Sequence, residues 1–355
     1  MTFSADFTYE SRPVRVVLRS GAAVTATPGE AEHLGLRHVL VVCGSRGEFV
    51  ARAVADALGD ACAGLHAEAR MHVPVEDADR AVAVARAAGA DGVVAVGGGS
   101  SIGLGKAIAL RTGLPLIAVP STYSGSEMTP VWGLTEGGVK RTGRDPKVQP
   151  RGVVYDPELT VSLPVPLTVT SGINALAHAV EALYAPDTSP LIALMAQDGV
   201  RAMAEALPLL AARSDDLDAR GRALYGAWLC GACLGATTMG LHHKLCHVLG
   251  GTFGLPHADT HTVVLPYALA YNAPAVPGAL TVLGRALDAD DPARALWDLA
   301  GRLGAPRSLA ELGLKETDVA EAAAQVAGQP YANPRPVTAE AVREVLQAAY
   351  EGRRP

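Results

Sequence analysis

The chain has 355 residues, of which 49% are apolar, and a formal net charge of −6 at pH 7. This length and apolar content predict two domains with a large buried core. The acidic balance, without a long run of Lys or Arg, excludes a nucleic-acid groove or an anionic membrane surface as the partner, so we expect a small-molecule ligand.

Membrane and secretion signals are absent from the sequence pattern. No apolar run reaches the ~18 residues that a bilayer-spanning helix needs, and residues 1–13 lack the apolar core of a signal peptide. Five cysteines at scattered positions are typical of reduced thiols, which predicts a cytoplasmic protein. Cys230 and Cys233 have CxxC spacing, but they lie in a helical run where core packing is favoured over metal or redox chemistry.

The first 158 residues alternate short β-rich runs with Ala-rich amphipathic stretches. Strands that run into turns are predicted within residues 38–45, 91–101 and 115–122, and helices at residues 47–59 and 104–113. This alternation is typical of a parallel sheet with crossover helices. It predicts an α/β, Rossmann-like dinucleotide-binding domain over residues 1–158.

A turn of three glycines follows the second predicted strand and opens a helix. Glycine lets the backbone approach a pyrophosphate closely, and the positive end of the following helix favours an anion. The string matches neither GxGxxG nor a Walker motif, so a plain strand-to-helix turn remains the alternative. The cofactor contacts predicted here are Gly97, Gly98, Gly99, Ser100 and Lys106.

A second polar loop, PSTYSGSEMTP, follows the next predicted strand. Ligands of open α/β sheets bind at the carboxyl ends of the strands, so we expect cofactor contacts from Ser121, Thr122, Tyr123 and Ser126.

The turn after the first predicted strand adds Gly44 and Ser45 to these expected contacts. It carries no acid at the position that would repel a 2′-phosphate, which predicts use of both NADH and NADPH. Glu48, an acid shortly after this turn, leaves a preference for NADH open as the alternative.

Residues 159–355 are predicted to form an all-helical substrate domain, with the active site in the cleft between the two domains. Five of the ten histidines fall between positions 240 and 261. His243 and His247 are four apart, which places both rings on one helix face, and His257 follows Pro256 in a predicted loop that folds back. Asn174 and His178 form a second four-residue pair. We expect these residues to converge, whereas His242 and His261 are interpreted as ordinary hydrogen-bonded core or surface residues.

Four blocks in order, GGGSSIGLGK, PSTYSGSEMTP, GINALAHAVEA and GLHHKLCHVLGGTFGLPH, resemble the iron-containing alcohol dehydrogenase superfamily, whose fold is similar to that of dehydroquinate synthase. The strings IGLGK, TYSGSEMTPVWGLTEGGVKRTGRDPKV, GLHHKLCHVLGGTF and YANPRPV resemble the maleylacetate reductases within it. The resemblance covers essentially the whole chain. It implies NAD(P)H-dependent reduction of the conjugated C=C of maleylacetate to 3-oxoadipate in aromatic-compound catabolism. It also implies a homodimer, with an edge strand from residues 7–18 as the expected interface. The alternative is a metal-dependent alcohol or aldehyde dehydrogenase of the same superfamily.

The resemblance also implies roles for the clustered residues. The metal-dependent members hold Fe²⁺ or Zn²⁺ with one Asp and three His, and these places fall on Asn174, His178, His243 and His257. A neutral amide is a weaker ligand than a carboxylate, so we predict metal-free chemistry.

The resemblance then implies that His243 and His178 stabilise an enolate oxygen and that His247 delivers the proton, in a catalytic set completed by His257. The two carboxylates of the substrate call for cations. The predicted substrate contacts are Lys244, Arg335, Asn174 and Tyr331.

Overall fold

The structure, a computed structural model, describes residues 7–10, 13–328 and 330–355. Residues 1–6 and 11–12 lie outside the described residues. They make up most of the segment 1–13, which was predicted to lack a signal peptide. Residues 11–12 also belong to the expected edge segment 7–18. The described chain divides into two compact units. The sheet unit extends to Leu163 and includes Asp215–Leu224, and the helical unit contains Pro164–Ser214 and Tyr225–Pro355.

The boundary of the sheet unit lies a few residues beyond the predicted position 158, which falls inside the short turn Pro157–Thr160. The second segment of this unit was not predicted. Arg220 explains why it belongs there, because its fully buried guanidinium donates hydrogen bonds to the Tyr123 hydroxyl and to the Leu163 carbonyl. A buried charge that is paired within one unit holds its segment to that unit.

The sheet unit is built on parallel strands, as predicted. The strands are β1 Arg15–Leu18, β2 Val39–Cys43, β3 Cys62–His66, β4 Gly92–Gly97, β5 Leu116–Pro120, β6 Val131–Glu136, β7 Val139–Arg144 and β8 Gly152–Tyr155. Strands β2, β4 and β5 are buried along their whole length, which is why they consist mostly of Val, Leu, Ile and Ala. Strands β6 and β7 form a separate antiparallel hairpin.

The main sheet has the strand order β1-β8-β5-β4-β2-β3, and its neighbouring strands pair in parallel. After β2 the chain adds β3 on one side, then returns to place β4 on the other side of β2. The turns after β2 and β4 therefore flank the point where the direction of winding reverses. Open α/β sheets bind ligands at this point.

Helices of the sheet unit cover the sheet: α1 Ala22–Thr25, α2 Thr27–His33, α3 Glu48–Leu58, α4 Val75–Ala87 and α5 Gly99–Thr112. The strands and helices predicted over residues 38–122 are all present, so the α/β fold is confirmed.

The helical unit is confirmed as well. Its helices are α6 Val165–Ala182, α7 Pro190–Ala212, α8 Leu217–Ala236, α9 Leu241–Phe253, α10 His257–Asn272, α11 Pro277–Leu287, α12 Pro292–Arg302, α13 Asp318–Ala327 and α14 Ala339–Glu351. Helix α8 begins in the sheet unit. Helix α6 lies in the core, since every residue from Thr168 to Ala182 is buried. A Cβ at Gly172 would lie 2.6 Å from Leu207 of α7, so the glycine permits close packing of the two helices.

Within the described residues, no single helix combines the length and apolarity needed to cross a bilayer. Helices α8 and α9 meet both requirements only when they are counted as one segment, and a bend of 96° separates them. Cys230 and Cys233 are fully buried thiols of α8, in agreement with their interpretation as core residues.

Candidate active site

Three turns meet at the carboxyl edge of the sheet. The amide of Gly44, after β2, donates a hydrogen bond to the Ser101 hydroxyl at 3.1 Å. The amide of Ser121, after β5, donates to the carbonyl of Gly97, the last residue of β4, also at 3.1 Å. A Cβ added to Gly98 would lie 3.1 Å from the Thr122 side chain. The glycine turn and the polar loop predicted to bind a cofactor are therefore in contact.

The geometry of the glycine turn fits a pyrophosphate. Gly97 has φ +131°, and a Cβ there would lie 2.6 Å from the Ser101 hydroxyl. Among the described residues, no side chain caps the N-terminus of α5, and its first turn contains no acid. The amides of this turn and the positive helix end are therefore available to an anion. The Thr122 hydroxyl, buried beside Gly98, has no hydrogen-bond partner among the described residues.

Replacing Gly97 by alanine is expected to weaken NADH binding at least ~10-fold. The added Cβ would strain the turn and displace Ser101, so the backbone amides would no longer be arranged to bind an anion. Fluorescence titration with NADH measures this. The control is Gly113→Ala, at the other end of α5, where φ is +76° but a Cβ meets no atom within 4 Å. Equal binding by the two variants would contradict the assignment of the turn.

Two of the predicted cofactor contacts have other partners in the structure. Lys106 is 1% exposed, and its Nζ lies 2.5–2.9 Å from the carbonyls of Ser126, Thr129 and Val131 and from the Thr129 hydroxyl. Burial lowers the pKa of Lys106 to about 7, although the Glu127 carboxylate opposes this shift. Lys106 thus fixes the polar loop through hydrogen bonds to its backbone carbonyls. Tyr123 is fully buried, and its hydroxyl accepts a hydrogen bond from Arg220.

Replacing Lys106 by methionine leaves buried carbonyls without a donor, so we expect the unfolding free energy to fall by roughly 2–4 kcal/mol. Urea denaturation measures this loss. Lys147→Met is the control, because Lys147 is exposed in a short turn. A loss no larger than that of the control would show that Lys106 does not hold the loop.

The two predicted four-residue pairs lie on two helices of the helical unit. Asn174 and His178 are buried on α6, His243 is 6% exposed on α9, and the rings of His178 and His243 stack with centroids 5.3 Å apart. The centroids of His243 and His247 are 6.2 Å apart, and His247 is exposed.

The prediction that His257 lies in a loop is wrong, because His257 is the first residue of α10. Gly254 ends α9 with φ +71°, and Pro256 then occupies the N-cap, so a new helix begins at once. His257 is exposed, and its ring centroid lies 4.4 Å from that of His261.

Glu181, one turn beyond His178 on α6, is a site residue that the sequence interpretation missed. Its buried carboxylate accepts hydrogen bonds from the amides of Gly240, His242 and His243, and its Oε2 lies 2.6 Å from His243 Nδ1. A carboxylate only accepts, so His243 donates its Nδ1 proton and presents Nε2 on its other side. Glu181 thus caps α9 and orients His243.

Burial determines the charge state of several rings. It lowers the pKa of His178, His242 and His261 well below the usual value, and neighbouring histidines lower it further. These three rings are therefore neutral at pH 7. In the described part of the chain, Asn174 Oδ1, His178 Nδ1 and His243 Nε2 are buried without a hydrogen-bond partner. Such atoms are costly to bury unless a ligand pairs with them.

The donor set fits the family's metal poorly. Asn174 supplies a neutral amide where the resemblance implies a carboxylate in the metal-dependent members, and Glu181, the buried carboxylate beside His243, is engaged with His243 and with the amides of Gly240 and His242. Within the described residues, a different group, His242, Cys246 and His261, has ligand atoms that lie within 4.8 Å of one another.

The predicted substrate contacts differ in their surroundings. Arg335 stacks on Tyr271, with Cζ 4.3 Å from the ring centroid, and donates to the Tyr271 carbonyl, so it anchors its own segment. The Tyr331 hydroxyl is buried, and burial together with the Glu181 charge raises its pKa. Lys244 is half-buried on α9, next to His243.

Comparisons with known proteins agree with this architecture. The family model described as iron-containing alcohol dehydrogenase matches residues 13–157, and the model for the C-terminal part of that family matches residues 168–350. The maleylacetate reductase of Sphingobium indicum is 52% identical over 350 residues, which cover 99% of both chains.

Two crystal structures of maleylacetate reductases also match. The enzyme of Agrobacterium tumefaciens has a TM-score of 0.96 at 49% identity, and that of Rhizobium sp. strain MTP-10005 has a TM-score of 0.96 at 50% identity. Each match covers 99% of this chain and 100% of the other. The predicted resemblance is confirmed.

Proposed function

The chain belongs to the iron-containing alcohol dehydrogenase family, and on this premise we propose that it is an NAD(P)H-dependent maleylacetate reductase that forms 3-oxoadipate. The observation that carries the proposal is the 52% identity to a maleylacetate reductase over 99% of both chains. The glycine turn, the uncapped end of α5 and the buried histidines supply the binding and catalytic groups that this reaction needs.

The substrate explains why a metal is dispensable. Reduction of an isolated carbonyl creates a strongly basic alkoxide, for which a Lewis acid is of great help. In maleylacetate the C=C is conjugated to a ketone, so hydride addition at the remote alkene carbon moves charge onto the ketone oxygen as an enolate. An enolate is a weaker base, and preorganised hydrogen-bond donors in a dry site stabilise it by several kcal/mol. When bound, NADH or NADPH supplies the hydride.

Each histidine has a proposed role. His178 is neutral and buried, and donates to the developing enolate oxygen. His243 stabilises the same oxygen, and Glu181 at 2.6 Å balances positive charge on its ring. His247 is exposed one turn further along α9 and delivers the proton that completes the reduction. His257, which is also exposed, is the fourth histidine of the proposed catalytic set. We place no step on a metal, because Asn174 does not replace the missing carboxylate.

Binding of the dianionic substrate is assigned mainly to Lys244. Arg335 keeps a supporting role, because its guanidinium already pairs with the Tyr271 carbonyl and ring. Asn174 and Tyr331 place a buried amide oxygen and a buried hydroxyl in the same unit.

Both dinucleotides are proposed as cofactors. Glu48, the first acid in sequence after the turn that follows β2, forms an ion pair with Arg52 at 2.5 Å. Its carboxylate is therefore already paired and is not positioned to bind a ribose hydroxyl.

A homodimer is proposed through β1, the terminal strand of the main sheet.

The test is NADH oxidation with maleylacetate, with identification of the product by mass spectrometry and with butanal and butanol as competing substrates. The proposal expects 3-oxoadipate and little turnover of the aldehyde or the alcohol. Turnover of aldehydes without reduction of maleylacetate would move the protein to the alternative, a metal-dependent dehydrogenase of the same family.

A further inference from the structure

A second group of side chains lies beside His243 and has no part in the proposed reaction. His242 and Cys246 are one turn apart on α9, and His261 reaches them from α10. His242 Nε2 is 2.9 Å from His261 Nδ1 and 3.7 Å from Cys246 Sγ. The exposed fractions of the three residues are 0%, 2% and 0%.

Hydrogen bonds alone leave this group incomplete. His242 Nδ1 and His261 Nε2, the two outer ring nitrogens, are buried without a partner among the described residues. Two neutral rings carry two N–H protons, and one of them is used between the inner nitrogens. The other is on an outer nitrogen, where it is a buried donor without an acceptor. The inner nitrogens and the Cys246 sulfur, by contrast, lie close enough together to hold a common ion.

We propose that His242 Nε2, Cys246 Sγ and His261 Nδ1 bind one cuprous ion. Their ligand atoms lie within 4.8 Å of one another, and the sulfur with two imidazoles is a donor set that Cu(I) and Zn²⁺ prefer. The surroundings select between the two ions. Cys246 packs in an apolar cluster with Leu241, Leu245 and Leu249. A monovalent ion on a thiolate is neutral, whereas a divalent ion would leave a buried positive charge.

The proton balance of binding is simple. Cys246 loses its thiol proton to solvent when the sulfur bonds to the ion. The ring whose proton lay between the inner nitrogens moves it to its outer nitrogen, so both rings stay neutral and both inner lone pairs face the ion. No oxidant or reductant is needed.

Occupancy of the site is expected to lower reductase activity, a consequence that rests on the proposed function. The ring centroids of His242 and His261 lie 5.2 and 5.0 Å from that of His243. The inner nitrogens, now 2.9 Å apart, must separate to about 3.3–3.5 Å around an ion with ~2.0 Å bonds, which shifts two rings that neighbour His243.

The test is an anaerobic titration of the coloured Cu(I)–bicinchoninate complex, in which protein that binds copper bleaches the dye. Wild type is expected to withdraw one equivalent. Cys246→Ala and His261→Gln are expected to lose affinity at least ~100-fold, because two ligands hold the ion far less well than three. Cys230→Ala, at an equally buried thiol of α8, is the matched control and keeps the site. Circular dichroism confirms folding, and His261→Gln tests the site with all thiols present.

Copper X-ray absorption of the loaded protein should report two nitrogen neighbours and one sulfur neighbour. Equal copper binding by Cys246→Ala and wild type would overturn the site, as would loss of binding in Cys230→Ala. Zn²⁺ that displaces Cu(I) at equal concentration would overturn the choice of ion. The dye reports binding without turnover, so an enzyme inactive on maleylacetate would refute the proposed function and leave the copper result readable.

Discussion

Replacing Glu181 by glutamine is expected to reduce kcat for maleylacetate by roughly 100- to 1,000-fold, the effect of losing one preorganised group at a developing oxyanion. The carboxylate accepts from the amides of Gly240, His242 and His243 at the start of α9, and from His243 Nδ1. An amide has one accepting atom, so at least one of these donors would face an N–H. His243 would lose both its orientation and the charge that balances it.

The same change should lower the unfolding free energy by roughly 2–4 kcal/mol, because buried amides at the start of α9 lose their acceptor. Steady-state kinetics and urea denaturation measure the two effects. Glu205→Gln is the matched control, since Glu205 pairs with Arg201 at an exposed position of α7. A stability loss without a loss of kcat would reduce Glu181 to a helix cap.

Replacing Asn174 by aspartate is expected to create a divalent metal site. Asn174 Oδ1 is buried and has no hydrogen-bond partner among the described residues. An unpaired carboxylate there should destabilise the metal-free protein by roughly 3–5 kcal/mol. Zn²⁺ would compensate the charge and should bind the variant on the order of 100-fold more tightly than wild type.

Thermal unfolding with EDTA and with Zn²⁺ measures this effect. The variant should melt lower than wild type in EDTA and recover with Zn²⁺, whereas wild type should respond little to either. Asn174→Leu removes the amide without adding a charge and serves as the control. Full stability of Asn174→Asp in EDTA, or an equal zinc response of the leucine variant, would contradict the account.

The α/β half of the fold was predictable because strands buried on both faces require continuous apolar sequence. Strands β2, β4 and β5 carry that pattern, and each is followed by turn residues. The four-residue spacing of Asn174 with His178, and of His243 with His247, likewise determines that each pair shares a helix face. Both features are local and can be read from the sequence alone.

Long-range pairing was not predictable. Glu181 meets His243 across 62 residues of chain, and no local pattern encodes this contact. A signal existed, since Glu181 is an acid within an apolar helix and lies one turn from His178. A buried acid needs several donors, and the amides at the start of another helix provide them.

The charged residues expected to bind ligands show a related limit. A sequence reveals a charge but not whether backbone carbonyls already surround it. Lys106 faces three carbonyls, and Arg335 faces the carbonyl and ring of Tyr271. His242 and His261 show the converse, because the sequence favoured ordinary core positions and the structure pairs them with each other and with Cys246.

We propose that this chain reduces maleylacetate through its histidine side chains without a metal ion. The most direct measurement is kcat for maleylacetate after EDTA treatment, with the metal content determined by mass spectrometry and with Fe²⁺ or Zn²⁺ then added back. We expect an unchanged kcat at substoichiometric metal and no gain when Fe²⁺ or Zn²⁺ is added. Activity that is lost with the metal and restored by Fe²⁺ or Zn²⁺ would contradict it and make Asn174 a ligand.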